Sequence, residues 1–149
     1  MPSAPTATPL TRAQKDRLTS DLRMACMRIS RRVRFESTTD VAPHQFSVLA
    51  RLEDRPHTPG ELADIEQVSA PSMSRTVAGL VEAGFVARSD DPSDGRSVIL
   101  SLTQEGKAAI RETRRRRDQW LATRLDHLDD TERALLVAAT ALLERVAAE

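Results

Sequence analysis

Two helix-start signals close together constrain this chain more than any other feature. Thr58-Pro-Gly-Glu61 combines a threonine N-cap, a proline at the first helical position and a glutamate that completes a capping box. After the short turn 66–68, Ser69 can cap a second helix over 69–83. A short helix, a tight turn and a second helix are typical of a helix-turn-helix.

The second helix has two different faces. Met73, Val77 and Leu80 share one side of the helical wheel, and small, polar or charged residues occupy the other side: Pro71, Ser72, Arg75, Ala78 and Glu82. A helix that rests on a core and enters a DNA groove needs this division. An ordinary amphipathic surface helix shares the pattern, so the flanking segments decide between the two.

A β-hairpin is predicted directly after this helix. Gly84 stands where a left-handed C-cap is expected, and 85–89 and 97–102 have the composition of strands. Asp94-Gly95 is a strong turn signal for the tip between them. A lone hairpin is unstable in water, so it must pack on the helices. The sequence therefore predicts a winged helix-turn-helix lobe over 37–102, with its wing at 90–97.

Long helices are predicted on both sides of this lobe. Residues 1–10 are rich in Pro, Ser, Thr and Ala and are expected to form a flexible arm. Apolar stripes follow in the first and last helices: Leu18, Leu22, Ala25, Ile29 and Val33, then Leu135, Leu136, Ala139, Leu142, Leu143 and Val146. Because a small lobe cannot cover them, we expect 11–36 and 103–149 to form a helical dimerisation region. Arg114 to Arg117 are expected to be largely solvated.

The predicted fold class is thus mainly α with a small β-hairpin wing (α+β). Few aromatic residues, with three Phe, one Trp and no Tyr, favour helix packing over a large sheet. The formal net charge is zero, and residues 36–110 hold six basic against twelve acidic residues. DNA contact must therefore depend on a few placed arginines and helix N-termini.

Other function classes lack their sequence signals. The three histidines are scattered, so no metal site is predicted, and no phosphate loop, nucleophile elbow or carboxylate pair indicates an enzyme or a cofactor. The single cysteine, Cys26, excludes an internal disulfide. With no signal peptide and no run of 18 apolar residues, we expect a cytoplasmic protein without a membrane partner.

Four segments resemble the MarR family of bacterial transcriptional regulators: 61–64, 68–75, 80–88 and, most specifically, the wing segment 91–106. The resemblance runs from Thr11 to the C-terminus. It implies a homodimeric, ligand-responsive regulator of transcription, expected to be a repressor. The recognition helix 69–83 would enter the major groove of a pseudo-palindromic operator in double-stranded DNA, and the wing 90–97 would enter the minor groove.

The resemblance also assigns roles to individual residues. Contacts to bases and phosphates are implied for Ser69, Ala70, Pro71, Ser72 and Arg75. Arg96 would enter the minor groove, Asp94 would orient it through an ion pair, and Arg88 would lie at the base of the wing. Gly95 stands where many members of the family have a second arginine. Arg96 is therefore expected to contribute a larger share of the wing's affinity for DNA. Independently, the helix start at Thr58 can offer backbone amides to a phosphate.

Effector binding and its alternatives remain open at this point. The resemblance implies a cleft for a small aromatic or anionic effector, for which Arg23, Met27, His44 and Phe46 are the candidates. Cys26 is expected to be a buried, inert thiol, but a redox-sensing regulator switched by Cys26 is one alternative. The other is a winged-helix protein-interaction module without DNA binding, which the acidic lobe favours.

Overall fold

The computed structural model describes residues 9–149, so most of the predicted arm, 1–10, lies outside the described residues. The described chain contains these elements in order: α1 Arg12–Glu36, α2 Pro43–Asp54, α3 Pro59–Glu66, α4 Ala70–Glu82, β1 Val86–Asp90, β2 Val98–Leu102, α5 Gln104–Leu125 and α6 Asp130–Ala148. Helices with one small hairpin confirm the predicted fold class. Within 9–149, no helix is both long enough and apolar enough to cross a membrane.

Side-chain caps fix where most of these helices begin. A side-chain oxygen accepts a hydrogen bond from the amide three residues on in five N-caps: Thr11, Thr58, Ser69, Thr103 and Asp129. The caps at Thr58 and Ser69 confirm the two helix starts predicted from the sequence. Each of the five caps satisfies an amide that the helix itself leaves without a partner. The helix α2 begins differently, with Ala42 at the N-cap and Pro43 at the first helical position.

The winged lobe contains one continuous apolar core. Its buried members come from α2, α3, α4, the hairpin and the first half of α5: Val41, Val48, Leu49, Leu52, Leu62, Ala63, Met73, Val77, Leu80, Val86, Leu100 and Ile110. Ile65 of α3, although apolar, does not join this core and is 40% exposed. It lies two residues beyond the buried Ala63, about 200° around the helix, and so points outward.

A third short segment extends the hairpin. The strands β1 and β2 are antiparallel, with Val86 opposite Leu102 and Asp90 opposite Val98. His57, in the turn between α2 and α3, pairs with Leu100 on the other edge of β2 through two backbone hydrogen bonds of 3.1 and 2.8 Å. The sequence analysis missed this pairing, which anchors the wing to the helix-turn-helix.

The end of α4 is joined tightly to the start of α5. Gly84 ends α4 with a φ of 77°, the left-handed conformation predicted for it. The Thr103 hydroxyl donates a hydrogen bond of 2.7 Å to the Gly84 carbonyl. At Gly106, a Cβ atom would collide with the Phe85 carbonyl oxygen, so only glycine allows this close approach. The segment that follows α4 is therefore held directly against the start of α5.

The terminal helices contrast with the lobe, since neither α1 nor α6 contains a buried residue. Apolar side chains of both predicted stripes are exposed, among them Leu18 at 54%, Ile29 at 50%, Leu135 at 71% and Leu142 at 51%. Within the described chain only Val33, Ala139 and Leu143 of these stripes are half-buried, and the rest stays exposed.

The arginine run of α5 differs from expectation. Arg114 binds Glu53 of α2 in a bidentate ion pair, with hydrogen bonds of 3.1 and 2.7 Å. Arg116 is half-buried and donates to the Thr38 carbonyl, and Arg117 is half-buried against α2. The expectation of a solvated run was therefore wrong for Arg116 and Arg117, whose long side chains pack between α5 and the lobe, whereas Arg114 stays exposed while it pairs with Glu53.

Candidate nucleic-acid interface

The exposed face of α4 carries a connected polar cluster. The Ser69 hydroxyl accepts a hydrogen bond of 3.3 Å from the Ser72 amide and lies 3.0 Å from the Ser72 hydroxyl. Arg75 Nη2 donates to the same Ser72 hydroxyl over 3.4 Å. Ala70 and Pro71 are exposed beside them, whereas the apolar side of α4 is buried. The predicted division of the helix into two faces is confirmed.

The start of α3 offers less to a phosphate than the sequence suggested. The Thr58 amide donates to the Glu61 carboxylate over 2.8 Å, and the Glu61 amide donates to the Thr58 hydroxyl over 3.1 Å. The hydrogen bond from the Thr58 amide, helped by Arg55, holds the pKa of Glu61 below its usual range. An ionised carboxylate thus occupies this helix start, which leaves the amide of the exposed Gly60 for a phosphate.

The wing presents Arg96 at its exposed tip. Asp94 accepts hydrogen bonds from the Arg96 amide at 3.1 Å and from the Ser97 hydroxyl at 3.2 Å. Among the described residues these two side chains form no ion pair, in contrast to the orientation by an ion pair that the resemblance implied. The Asp94 carboxylate is engaged by the turn itself, so it positions Arg96 through the backbone.

The remaining wing residues lie as the sequence indicated. Arg88 is exposed in the middle of β1, opposite Leu100 of β2. Gly95 is exposed with no neighbouring atom within 4 Å of where a Cβ would stand. The structure therefore gives Gly95 no packing role and leaves open space at the tip.

Several acidic groups of the lobe are engaged in internal contacts. Glu66 accepts hydrogen bonds from Ser47 and Arg51 of α2. Burial tends to raise the pKa of Glu66, but these two hydrogen bonds more than offset it and the pKa is lowered. Glu53 and Glu61 are likewise paired, with Arg114 and Arg55. These carboxylates are held against basic partners rather than left free to repel a phosphate backbone.

The four effector candidates do not line a common cavity in the described chain. Arg23 and Met27 are exposed on α1, where the Arg23 guanidinium donates to the Met27 sulfur over 3.5 Å. His44 lines a groove beside Ser72 and Arg75 of α4. Phe46 lies in a separate cleft between α1, α2 and α5. His44 and Phe46 are two residues apart on one helix, so they point in nearly opposite directions.

The cleft at Phe46 contains two arginines that the sequence analysis did not single out. It measures about 440 Å³ and includes Arg34 of α1 and Arg117 of α5. The guanidinium carbon of Arg117 lies 4.1 Å from the centre of the Phe46 ring. Its Nε is buried without a hydrogen-bond partner among the described residues. Burial, and then the charge of Arg34, lower the pKa of Arg117.

A sequence signal for this cleft did exist. Arg114 and Arg117 are three residues apart and share one side of α5, the side that meets α2. This spacing was missed because Arg114 to Arg117 were all expected to be solvated.

Cys26 is exposed on α1, which corrects the expectation of a buried thiol. It lies in a groove along α1 with its neighbours Met24 and Met27. Cys26 lies on the helix whose apolar stripe is largely exposed in the single chain. In residues 9–149, no group of histidine, cysteine and acidic side chains is arranged to hold a metal ion.

Comparisons with known proteins agree with this geometry. A model of the MarR family matches residues 39–97. An HTH-type transcriptional regulator of Mycobacterium bovis is 43% identical over 129 residues, which cover 85% of this chain and 90% of that relative.

Solved structures show the same fold. A transcriptional regulator from Pseudomonas aeruginosa superposes with a TM-score of 0.75 at 30% identity, covering 93% of this chain and 99% of that one. A point mutant of Staphylococcus aureus MepR, bound to an oligodeoxyribonucleotide, superposes with a TM-score of 0.65 at 20% identity, covering 86% and 96%.

Proposed function

Because this chain belongs to the MarR family of transcriptional regulators, we propose that it acts as a homodimeric, ligand-responsive repressor. The family consists of regulators rather than enzymes. One observation supports the DNA-binding role above all others. The connected Ser69, Ser72 and Arg75 cluster lies on the exposed face of a helix whose other face is firmly buried, and Arg96 lies at the tip of the adjoining wing.

In the proposed complex, α4 enters the major groove. Ser69, Ala70, Pro71 and Ser72 lie at its N-terminal end, where short side chains permit a close approach to bases and phosphates. Arg75 lies one turn further along and reads a guanine edge. Ser72 accepts a hydrogen bond from Arg75, so the guanidinium is partly oriented before DNA binds.

In the same complex, the wing enters the adjacent minor groove through Arg96. A guanidinium suits a narrow groove, where the negative potential is strongest. Arg88, at the base of the wing, contacts the backbone, and the start of α3 beside Thr58 binds a phosphate through Gly60. Two lobes related by two-fold symmetry then require a pseudo-palindromic operator with half-sites about 10 bp apart.

The uncovered stripes of α1 and α6 support the dimer. Apolar faces of this length are uncommon on a monomer's surface, and a second copy of the chain offers matching faces. We assign 11–36 and 103–149 to the dimerisation region, with the first half of α5 shared with the lobe through its buried residues Gly106, Ile110 and Thr113.

The cleft at Phe46 is the proposed effector site. Four arginines and one aromatic ring line the cleft, together with Glu53 and Asp54. Arg51 and Arg114 pair with Glu66 and Glu53, so Arg34 and Arg117 remain to bind a small aromatic anion, whose ring would stack while its carboxylate accepts from a guanidinium. The buried Arg117 Nε provides a donor that lacks a partner within the described chain. A ligand bound between α1, α2 and α5 would change how the lobe sits on the dimerisation helices, and with it DNA affinity.

Fluorescence anisotropy with labelled DNA from upstream of the protein's own gene tests the DNA-binding role. Arg75→Ala should weaken binding by about 1–3 kcal/mol and relax sequence preference. Arg96→Ala should weaken binding to all sequences and reduce the salt dependence. Arg145→Ala, an exposed arginine on α6, is the matched control and should bind normally.

Absent or salt-independent binding would instead favour a protein-interaction module, which the acidic composition of residues 36–110 supports. The exposure of Cys26 favours testing the redox alternative in the same assay. If Cys26→Ser protein still releases DNA when treated with peroxide, Cys26 is not the switch.

A further inference from the structure

A second cavity, of about 340 Å³, lies on a different side of α5 from the cleft at Phe46. Its walls come from the loop between α1 and α2, from the segment just after α4, and from α5. Val41, Phe85, Ala108 and Ala109 make most of the wall apolar. This volume falls within the range of small-molecule sites, and a mostly apolar wall with a few polar groups is their usual composition.

The charged groups around this cavity are predominantly acidic. Asp40, Glu105 and Glu112 line it, against the single cation Arg116. The Arg116 guanidinium is already engaged, since it contacts Glu112 at 2.7 Å and donates to the Thr38 carbonyl at 2.8 Å. Arg115 and Arg116 together hold the pKa of Glu112 at about 2, so this carboxylate is ionised at neutral pH.

Two of these acids have no basic partner in the described part of the chain. No salt bridge within residues 9–149 includes Asp40 or Glu105. Both line the same apolar cavity, one from the loop before α2 and the other from the first turn of α5. The cavity therefore combines an apolar wall with negative charge that the protein leaves unneutralised.

We propose that this cavity binds small aromatic amines. The ring would displace water from the apolar wall and contact Phe85, while the protonated amine would meet the carboxylates of Asp40 and Glu105. Unneutralised carboxylates repel an anion, so a ligand of the opposite charge belongs in the arginine-lined cleft at Phe46. The two cavities would then select ligands by charge.

The position of this site connects it to the recognition helix. Phe85 directly follows Gly84, which ends α4, and its carbonyl accepts a hydrogen bond of 3.1 Å from the Thr103 amide. An amine in the cavity would thus contact the segment that joins α4 to β1, at the point where this segment is hydrogen-bonded to the N-cap of α5. Amine binding can be measured without DNA, so a protein that does not bind the amine would leave the DNA-binding proposal intact.

Isothermal titration calorimetry of the full chain with 4-phenylbenzylamine tests the proposal. Asp40→Asn and Glu105→Gln should each weaken binding about two- to fivefold, as expected for loss of one exposed ion pair. Asp118→Asn removes an exposed acid elsewhere on α5 and should leave the affinity unchanged. Ala108→Phe should abolish binding by filling the cavity, with its helix content checked by circular dichroism.

A crossed experiment with 4-biphenylacetate, an anion of similar size, separates the two cavities. Arg117→Ala should weaken binding of the anion and leave the amine unaffected, whereas Ala108→Phe should do the opposite. The proposal is overturned if the amine does not bind. It is also overturned if the amine binds Ala108→Phe and the Asp40→Asn, Glu105→Gln double variant as tightly as it binds the parent protein. If a second copy of the chain fills this cavity, the amine will not bind, and Ala108→Phe will change the mass measured by sedimentation.

Discussion

The winged lobe and the terminal helices use similar apolar residues in opposite ways. In the lobe, Leu49, Leu62 and Leu100 are fully buried, with 0% exposure, among residues of the same chain. On α6, Leu135 is 71% exposed and Leu142 is 51% exposed. The lobe is thus complete as one chain, whereas the terminal helices leave large apolar surfaces for another molecule to cover.

The largest expected effect comes from opening the lobe core. Leu80→Ala removes a side chain that is 1% exposed and leaves a cavity, so the free energy of unfolding should fall by about 2–5 kcal/mol. Urea denaturation at one fixed protein concentration measures this change. Leu10→Ala, at a position 56% exposed, is the matched control and should stay within about 0.5 kcal/mol of the parent protein. Equal losses in both variants would contradict the contrast between the two regions.

The next effect concerns the terminal helices. A Leu135→Lys, Leu142→Lys double variant should keep the lobe folded but raise the dimer dissociation constant at least about tenfold, or about 1.4 kcal/mol. Glu144 lies on the opposite side of α6 from Leu135, about 180° away, so Glu144→Lys should dimerise normally. Sedimentation velocity separates these outcomes. A double variant that dimerises as well as the parent would remove α6 from the proposed interface.

A smaller effect is expected where the two regions meet. Arg114→Ala breaks the bidentate contact with Glu53, and since both side chains are well exposed the stability loss should be about 0.2–1 kcal/mol. Arg111→Ala, an exposed arginine of α5, provides the control. Thermal melts at low and high salt measure the difference, which should shrink as salt screens the pair. A loss that does not depend on salt would indicate packing by the Arg114 stem instead.

The smallest effect is a pH dependence from Glu112. Hydrogen bonds from Arg115, and then from Arg116, lower the pKa of Glu112 to about 2. Its ionised form therefore stabilises the fold above the pKa of an unfolded glutamate, about 4.3, and this contribution disappears as pH falls toward 2. Glu112→Gln should flatten the decline in Tm between about pH 4.5 and pH 2.5. Glu144→Gln, at an exposed position on α6, should leave the decline unchanged.

Local chemistry made much of this fold predictable. Thr58 and Ser69 act as N-caps because their hydroxyls accept from an amide three residues away, and Gly84 adopts the expected left-handed conformation. In each case the decisive contact lies within a few residues of the signal, so a short stretch of sequence suffices to predict it.

Contacts between distant segments were not predictable in the same way. His57 pairs with Leu100 through backbone groups, which carry no side-chain signature. Arg117 reaches Phe46 only because α5 packs against α2. The four effector residues stay a prediction, since α1 and α2 present them in different directions within the described chain. The family resemblance also implied an ion pair between Asp94 and Arg96, whereas in the described chain the Asp94 carboxylate accepts from the Arg96 amide instead.

The proposed function requires two copies of the chain to bind together at one DNA site. Native mass spectrometry of the protein with a short duplex from the bound upstream region tests this directly. We predict two copies of the 16.5 kDa chain per duplex, and loss of that complex in the Leu135→Lys, Leu142→Lys variant. A complex with one chain per duplex, or no complex at all, would contradict it.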